Sequence, residues 1–102
     1  MDLIERPTIG QVFSINNPPF EVWSEEWTVI EFSEPDITFS YTKYWVRDIA
    51  YIPVSTTDTV AGIVLKETKD GVIIELKNFP YYDDVGLILN GDKATYLSSL
   101  DL

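Results

Sequence analysis

The sequence predicts an all-β fold, a single small domain over residues 1–102 with seven or eight short antiparallel strands in a sandwich or a small barrel. Segments rich in aromatic and β-branched residues recur along the chain, and turn signals separate them roughly every 8–12 residues. Helical periodicity is scarce. With 45% hydrophobic residues, a chain of this length suits one core.

The first half of the chain alternates between strand patterns and clusters of turn residues. The strand patterns cover residues 9–15, 20–23, 27–32, 37–41 and 44–52. The main breaks are Asn-Asn-Pro-Pro at 16–19 and Ser-Glu-Pro-Asp at 33–36. Pro53 lacks an N–H donor, so it ends the last of these strands or places it on a sheet edge.

The second half begins with a polar connection at residues 55–61, which we expect to be a mobile loop, followed by a hairpin of 62–68 with 72–77. With Asp70-Gly71 as a two-residue turn, Lys66 lies opposite Glu75. Leu65 then lies opposite Leu76. One face of the hairpin holds Ile63, Leu65, Val72, Ile74 and Leu76.

Asn90-Gly91 predicts a second hairpin, between residues 86–89 and 92–97. A competing interpretation of the second strand is a short helix capped by Asp92, with Ala94, Leu97 and Leu100 three residues apart. Because Thr, Tyr and Ser are mediocre helix formers, we favour a strand that can end in a short helical turn.

The charge of the chain is strongly acidic, with 17 Asp and Glu against 7 Lys and Arg and a net charge of −10. Residues 7–42 contain no Lys or Arg. This balance argues against direct contact with nucleic acid or an anionic membrane, since both require a basic footprint. It favours a partner protein with a basic surface, although carboxylates that only maintain solubility explain the same composition.

The chain contains no Cys and no His, so thiolate chemistry, disulfides and the most common general base are excluded. No nucleophile motif or phosphate-binding glycine loop is present. We therefore expect a non-enzymatic protein without a cofactor. The N-terminus lacks the basic start and apolar core of a signal peptide, which predicts a cytoplasmic protein at synthesis.

The predicted partner site lies on a hairpin of residues 20–32, with a three-residue loop at 24–26. In that register Trp23 lies opposite Trp27, beside acidic residues, while Phe20, Val22, Ile30 and Phe32 face the core. The adjacent aromatics at 81–82 are a second candidate. The predicted partner-binding residues are Glu21, Trp23, Glu25, Glu26, Trp27, Glu31, Tyr81 and Tyr82. The alternative is that both tryptophans belong to the core.

A calcium site is a further chemical possibility. Asp83, Asp84, Asn90 and Asp92 supply suitable oxygens if the loops that carry them fold together. Because the spacing of a known calcium loop is absent, we expect no metal.

These observations favour a non-catalytic protein-interaction subunit. We expect a structural or accessory component of a larger assembly, of which a virus particle is one kind and a homo-oligomer another. The alternatives are an acidic inhibitor that mimics nucleic acid and blocks a protein that binds DNA or RNA, and a carbohydrate-binding module that stacks sugars on exposed aromatics.

Overall fold

A computed structural model describes residues 6–18, 23–46, 53–98 and 102. Seven strands form a closed barrel in which sequence neighbours pair and β1 closes against β7. Their bounds are β1 (Val12–Ile15), β2 (Trp23–Ser33), β3 (Asp36–Val46), β4 (Pro53–Thr68), β5 (Gly71–Lys77), β6 (Val85–Asn90) and β7 (Lys93–Ser98). No helix within these described ranges is long and apolar enough to cross a membrane.

The prediction of an all-β fold with a small barrel is confirmed, with two corrections. Six strand pairs are antiparallel, but β1 and β7 run parallel. The strands are also not all short, because β2 and β3 contain 11 residues each and β4 contains 16.

The core is formed by the side chains that point into the barrel. Along most of the strands these residues alternate with outward ones, as the pleat requires, whereas Val72, Ile73 and Ile74 of β5 are all buried. The buried set includes Trp27, Val29, Ile37, Phe39, Tyr41, Val60, Val72, Ile74, Leu76, Leu87, Leu89 and Ala94. Seven strands enclose an interior that side chains of this size fill, so the barrel has a packed core.

The predicted hairpin of residues 20–32 is wrong. Ser24, Glu25 and Glu26 lie within β2, which runs unbroken from Trp23 to Ser33 and pairs with β3. Without a turn at this point, the alternation continues and Trp27 and Val29 face the interior. Phe20 and Val22 lie outside the described residues.

A β-bulge between Val29 and Glu31 explains the second error in this strand. The bulge leaves Ile30 without a partner in β3 and 41% exposed, although the sequence predicted it in the core. Beyond the bulge the phase shifts, so Phe32 packs against the core as predicted.

Residues 55–61 form part of β4 and not a loop. Their Ser and Thr side chains face polar residues of β3, and the hydroxyls of Thr42 and Thr57 lie 3.2 Å apart. Such polar cross-strand pairs stabilise a sheet without an apolar pattern, which explains why the segment resembled a connection. The predicted strand patterns 37–41 and 44–52 belong to one strand as far as Val46, and residues 47–52 lie outside the described part of the chain.

The hairpin of β4 and β5 forms, but its register differs from the prediction. Thr68 pairs with Gly71, so Lys69 and Asp70 form the turn. A bulge between Val64 and Lys66 turns Leu65 outward, where it is 42% exposed. The predicted inward positions of Val72, Ile74 and Leu76 are confirmed.

The predicted hairpin of β6 and β7 is also confirmed, with its turn one residue further along. Asn90 pairs with Lys93, and Gly91 and Asp92 form the turn. Lys93–Ser98 is a strand and not a helix. Residues 99–101, which include most of the predicted helical turn, lie outside the described part of the chain.

Candidate functional site

One end of the barrel carries a group of aromatic and charged side chains. The β5–β6 loop at 78–84 lies at this end, with the first residues of β2 and the last residues of β7. We call this group the mouth cluster. Its members are Glu25, Trp27, Tyr41, Lys43, Asp58, Phe79, Tyr81, Tyr82, Asp83, Asp84 and Tyr96.

The mouth loop, residues 78–84, is anchored at two points. Phe79 is 7% exposed and packs against the rings of Trp27 and Tyr41, at centroid distances of 5.3 and 5.2 Å. The Tyr81 hydroxyl donates a 3.0 Å hydrogen bond to Asp58 on β4. These two contacts hold the loop and leave the residues after Tyr81 to face solvent.

The backbone of the mouth loop bends sharply at both ends. Asn78 and Asp84 have φ angles of 57° and 52°. Asn and Asp tolerate this left-handed region better than other residues with a side chain, because their short polar groups bond locally. Pro80 fixes a further φ angle between them. The loop is therefore shaped by its own sequence as well as by its anchors.

Tyr82 is the exposed aromatic of the mouth loop. Its side chain is 36% exposed, and its ring contacts Tyr96 edge to face at a centroid distance of 5.5 Å. The exposed side chains of Asp83 and Asp84 follow directly. An aromatic ring fixed beside two carboxylates is suited to contact a cationic or hydrogen-bonding group.

A groove of about 480 Å³ lies along the mouth loop and the end of β7. Its lining consists of Asn17, Tyr82, Asp83, Asp84, Val85, Tyr96, Leu97 and Ser98. A second cavity of about 420 Å³ is lined by Leu76, Asn78 and Phe79. It shares Tyr82, Asp83 and Asp84 with the groove, so these three residues line both cavities.

Next to this groove β1 is shorter than its neighbour β7. β1 ends at Ile15, which pairs with Ala94, while β7 continues to Ser98. Beyond this pair, the backbone N–H of Tyr96 donates a 3.0 Å hydrogen bond to the side-chain oxygen of Asn17. A side chain therefore replaces the strand that would otherwise continue the ladder.

A hydrogen bond crosses the interior where β1 ends. The hydroxyl of Tyr96, on β7, donates to the carboxyl oxygen Oε1 of Glu25, on β2. Glu25 is only 1% exposed, and it lies directly opposite Lys43 in the register of β2 and β3. Because burial of a carboxylate is costly without partners, these contacts are needed to keep Glu25 inside.

The tyrosines around Glu25 resist ionisation. Burial, and then the negative charge of Glu25, raise the pKa of Tyr41 far above its ordinary value. Burial, and then the hydrogen bond to Glu25, raise the pKa of Tyr96 even further. The pKa of Tyr82 is also raised, by burial and then by the charge of Glu25. Since Tyr96 stays protonated, it remains a donor to Glu25 over the whole physiological range.

A cation already lies on one aromatic ring of the mouth cluster. Nζ of Lys43 is 4.1 Å from the centroid of the Tyr81 ring, well inside the range of a cation–π contact. Tyr81 also bonds Asp58, so a ring, an ammonium and a carboxylate are already combined within the chain.

The structure separates the predicted partner-binding residues into different environments. Trp27 is fully buried and Glu25 nearly so, and their predicted exposure is therefore wrong. The reason is the continuous β2, which reverses the predicted faces. The side chain of Trp23 and all of Glu21 lie outside the described residues.

The remaining predicted residues do not form one surface. Glu26 is half-buried, and Glu31 is exposed but lies near the β2–β3 turn at the opposite end of the barrel. Tyr81 and Tyr82 belong to the mouth loop, where Tyr81 is an anchor and Tyr82 is exposed. Tyr82 is thus the predicted aromatic that the structure leaves available to a partner at the mouth.

The calcium arrangement does not form. Asp83 and Asp84 precede β6, whereas Asn90 ends it and Asp92 follows it, at the other end of the barrel. Within the described residues, no group of three or more Asp and Glu side chains is placed to hold a metal ion.

Several residues of the site were not predicted from the sequence, among them Asn17, Asp58 and Tyr96. Asn17 belongs to a turn cluster, Tyr96 to a strand, and Asp58 to an apparent loop. Tyr96 and Glu25 are 71 positions apart, and only closure of the barrel brings them together. No local signal in the sequence marks such a pair.

Comparison of the chain with models of protein families, with curated proteins and with solved structures finds no significant match.

Proposed function

We propose that this chain is a non-catalytic protein-interaction domain, and that its mouth binds a basic segment of a partner protein. The observation that carries the proposal is the exposed Tyr82–Asp83–Asp84 segment, held on an anchored loop beside an open groove. A partially exposed aromatic anchor next to a cavity is typical of the centre of a protein interface.

Charge favours a basic partner. Within the mouth cluster, Glu25, Asp58, Asp83 and Asp84 are carboxylates and Lys43 is the cation. The net charge of −10 adds a long-range attraction for positive surfaces. Such complementarity speeds encounter and selects among partners.

Preorganisation supports the same conclusion. The Phe79 and Tyr81 anchors fix the loop before any partner arrives, so binding does not have to order it. Ordering a flexible loop costs free energy at the moment of binding, and this cost is avoided here. A rigid loop with an exposed tip suits recognition better than it suits a purely structural turn.

The test is capture of partners by the immobilised chain from its native host. We expect a variant with Tyr82→Ala, Asp83→Asn and Asp84→Asn to lose the partner that the unmodified chain retains. The matched control is Asp70→Asn with Asp92→Asn. It also removes two negative charges, but from turns at the opposite end of the barrel. Retention of the partner by the mouth variant, with the fold intact by circular dichroism, would contradict the proposal.

The properties of the captured complex also distinguish the proposed function from its alternatives. A complex with a basic surface should weaken as salt rises, because exposed charges are screened. Competition by DNA for the same partner would instead indicate a nucleic-acid mimic, and capture of neutral glycans by the mouth would indicate a carbohydrate-binding module.

A subunit of a larger assembly is one form of the proposal. Light scattering of the purified chain, alone and with its captured partner, distinguishes the cases. A large oligomer of the chain alone would indicate self-assembly, whereas a discrete complex only with the partner would indicate a separate accessory protein.

A further inference from the structure

We propose that the groove between the mouth loop and β7 is a recognition pocket for a single arginine side chain. This inference rests on the proposed function and names the chemical group that the mouth selects. The pocket combines the rings of Tyr82 and Tyr96 with the carboxylates of Asp83 and Asp84.

The shape of the groove suits one long side chain. Its volume of about 480 Å³ lies in the lower part of the range of small-molecule pockets, which begins near 300 Å³. Its lining combines β7 residues 96–98 with residues 82–85, and Val85 pairs with Ser98 where the two segments meet. A slender side chain that lies in the groove therefore contacts the mouth loop and β7 at once.

The chemistry of the lining matches a guanidinium. A planar guanidinium stacks on an aromatic face and donates paired hydrogen bonds to carboxylates, whereas an ammonium is a compact and strongly hydrated charge. Tyr82 supplies the ring, and the next two residues supply the carboxylates. Both requirements are therefore met within three consecutive residues.

The site is distinct from the cation–π contact already present in the chain. Lys43 lies over the ring of Tyr81, whose hydroxyl is bonded to Asp58. The proposed pocket uses a different ring, that of Tyr82, and different carboxylates, those of Asp83 and Asp84.

The backbone conformation of Asp84 contributes to the pocket. Its φ angle of 52° turns the chain from the mouth loop into β6. Because Asn occupies this region as readily as Asp, replacement of Asp84 by Asn removes the charge and preserves the turn. A charge-neutral variant of the pocket is therefore available without a change of backbone.

The experiment is a titration of the isotopically labelled full chain, followed by NMR, with N-acetyl-arginine amide. The comparison ligands are the amides of N-acetyl-lysine and N-acetyl-citrulline, the second of which keeps the shape of arginine without its charge. We expect saturable shifts centred on 82–85 and 96–98 with arginine, and affinities at least about tenfold lower for citrulline, as a lost charge-assisted contact implies. Lysine should bind more weakly than arginine.

Two variants sharpen the result. Asp83→Asn with Asp84→Asn should lower arginine affinity at least about tenfold, which corresponds to about 1.4 kcal/mol. The control Asp70→Asn with Asp92→Asn should leave affinity within about twofold, because it removes equal charge far from the groove. Equal binding of arginine and citrulline, equal loss in both variants, or shifts confined to other surfaces would overturn the inference. Saturable shifts of the groove residues with a neutral oligosaccharide would overturn it as well.

The outcome is separable from that of the proposed function. If arginine amide leaves the groove unperturbed but partner capture still depends on Tyr82, the arginine inference alone fails. If partner capture is independent of the whole mouth loop, the proposed function fails, and the inference fails with it.

Discussion

Glu25 of β2 accepts a hydrogen bond from the hydroxyl of Tyr96 of β7, across the interior of the barrel at the point where β1 ends. The two strands are joined there by side chains, because β1 has only four residues and pairs with β7 at only two positions. The bond therefore links β2 to β7 beyond the end of β1 and supports the ring of Tyr96, which the ring of Tyr82 contacts. Stability and the candidate site depend on the same contact.

Tyr96→Phe should destabilise the protein by about 2 kcal/mol, the usual range for loss of a hydrogen bond to a charged group. The ring and its packing remain, so the loss reports the hydroxyl that donates to Glu25. Urea unfolding followed by tryptophan fluorescence measures the change. An unchanged midpoint would show that Glu25 does not need this donor.

Tyr41→Phe is the matched variant, and it should cost less than Tyr96→Phe. The buried Tyr41 hydroxyl makes no hydrogen bond of good geometry to a described residue, although it lies close enough to Glu25 for the carboxylate to raise its pKa. Loss of a poorly aligned contact costs less than loss of a well-formed hydrogen bond to a charged group. A loss as large as that of Tyr96→Phe in the same unfolding assay would show that the Tyr41 hydroxyl has a partner in solution.

Stability should fall in alkaline solution because the buried tyrosines keep their protons. Burial and Glu25 raise the folded-state pKa of Tyr41 above its unfolded value of about 10. Below that value both states are protonated and the contribution is intact. Above it the unfolded state loses a proton that the folded state keeps. Tyr41 alone therefore lowers the free energy of unfolding by up to about 1.4 kcal/mol per pH unit.

Urea unfolding from about pH 8 to about pH 11 measures this loss. Tyrosinate absorbance should show exposed tyrosines ionising first and the buried ones only with unfolding. In Tyr41→Phe the free energy of unfolding should fall less steeply with pH than in the unmodified chain. An identical fall in both proteins would show that Tyr41 does not contribute to the loss of stability at alkaline pH.

The class of fold was predictable because it depends on local signals. Alternating apolar residues and turn residues predicted an all-β chain, and Asn90-Gly91 located the β6–β7 hairpin within one residue. Such signals depend on a few neighbouring residues in the sequence. They therefore do not depend on which strands pair with each other in the barrel.

The face of β2 was not predictable, because it depends on one turn that the sequence only suggested. A loop at Ser24-Glu25-Glu26 would reverse which side chains of the strand face inward and would place Trp27 in solvent. The continuous β2 buries it instead. The bulges at Ile30 and Leu65 shift the phase again, and neither residue carries a local signal for a bulge. The candidate site failed for the same reason, except at Tyr82, whose exposure depends on a loop that the sequence did identify.

Trp27→Ala should destabilise the protein by about 3–5 kcal/mol, the range for truncation of a buried aromatic. The indole is fully buried and contacts four rings, those of Phe39, Tyr41, Phe79 and Tyr96. Thermal unfolding by circular dichroism measures the effect. Leu65→Ala is the apolar control, and it should cost less than about 1 kcal/mol because Leu65 lies outward on a bulge. Similar losses for the two variants would contradict the assignment of Trp27 to the core.

Gly71→Ala should be more destabilising than Gly91→Ala, although both glycines lie at hairpin turns. Gly91 has a φ of 62° and open space where a Cβ would be, so alanine there costs about 1 kcal/mol of backbone strain. Gly71 has a φ of 141°, and its Cβ would lie 2.5 Å from the carbonyl oxygen of Leu89. The neighbour is backbone of β6, so it cannot move without disturbing the β5–β6 pairing. Urea unfolding of both variants measures the difference, and equal losses would show that β6 yields at this contact.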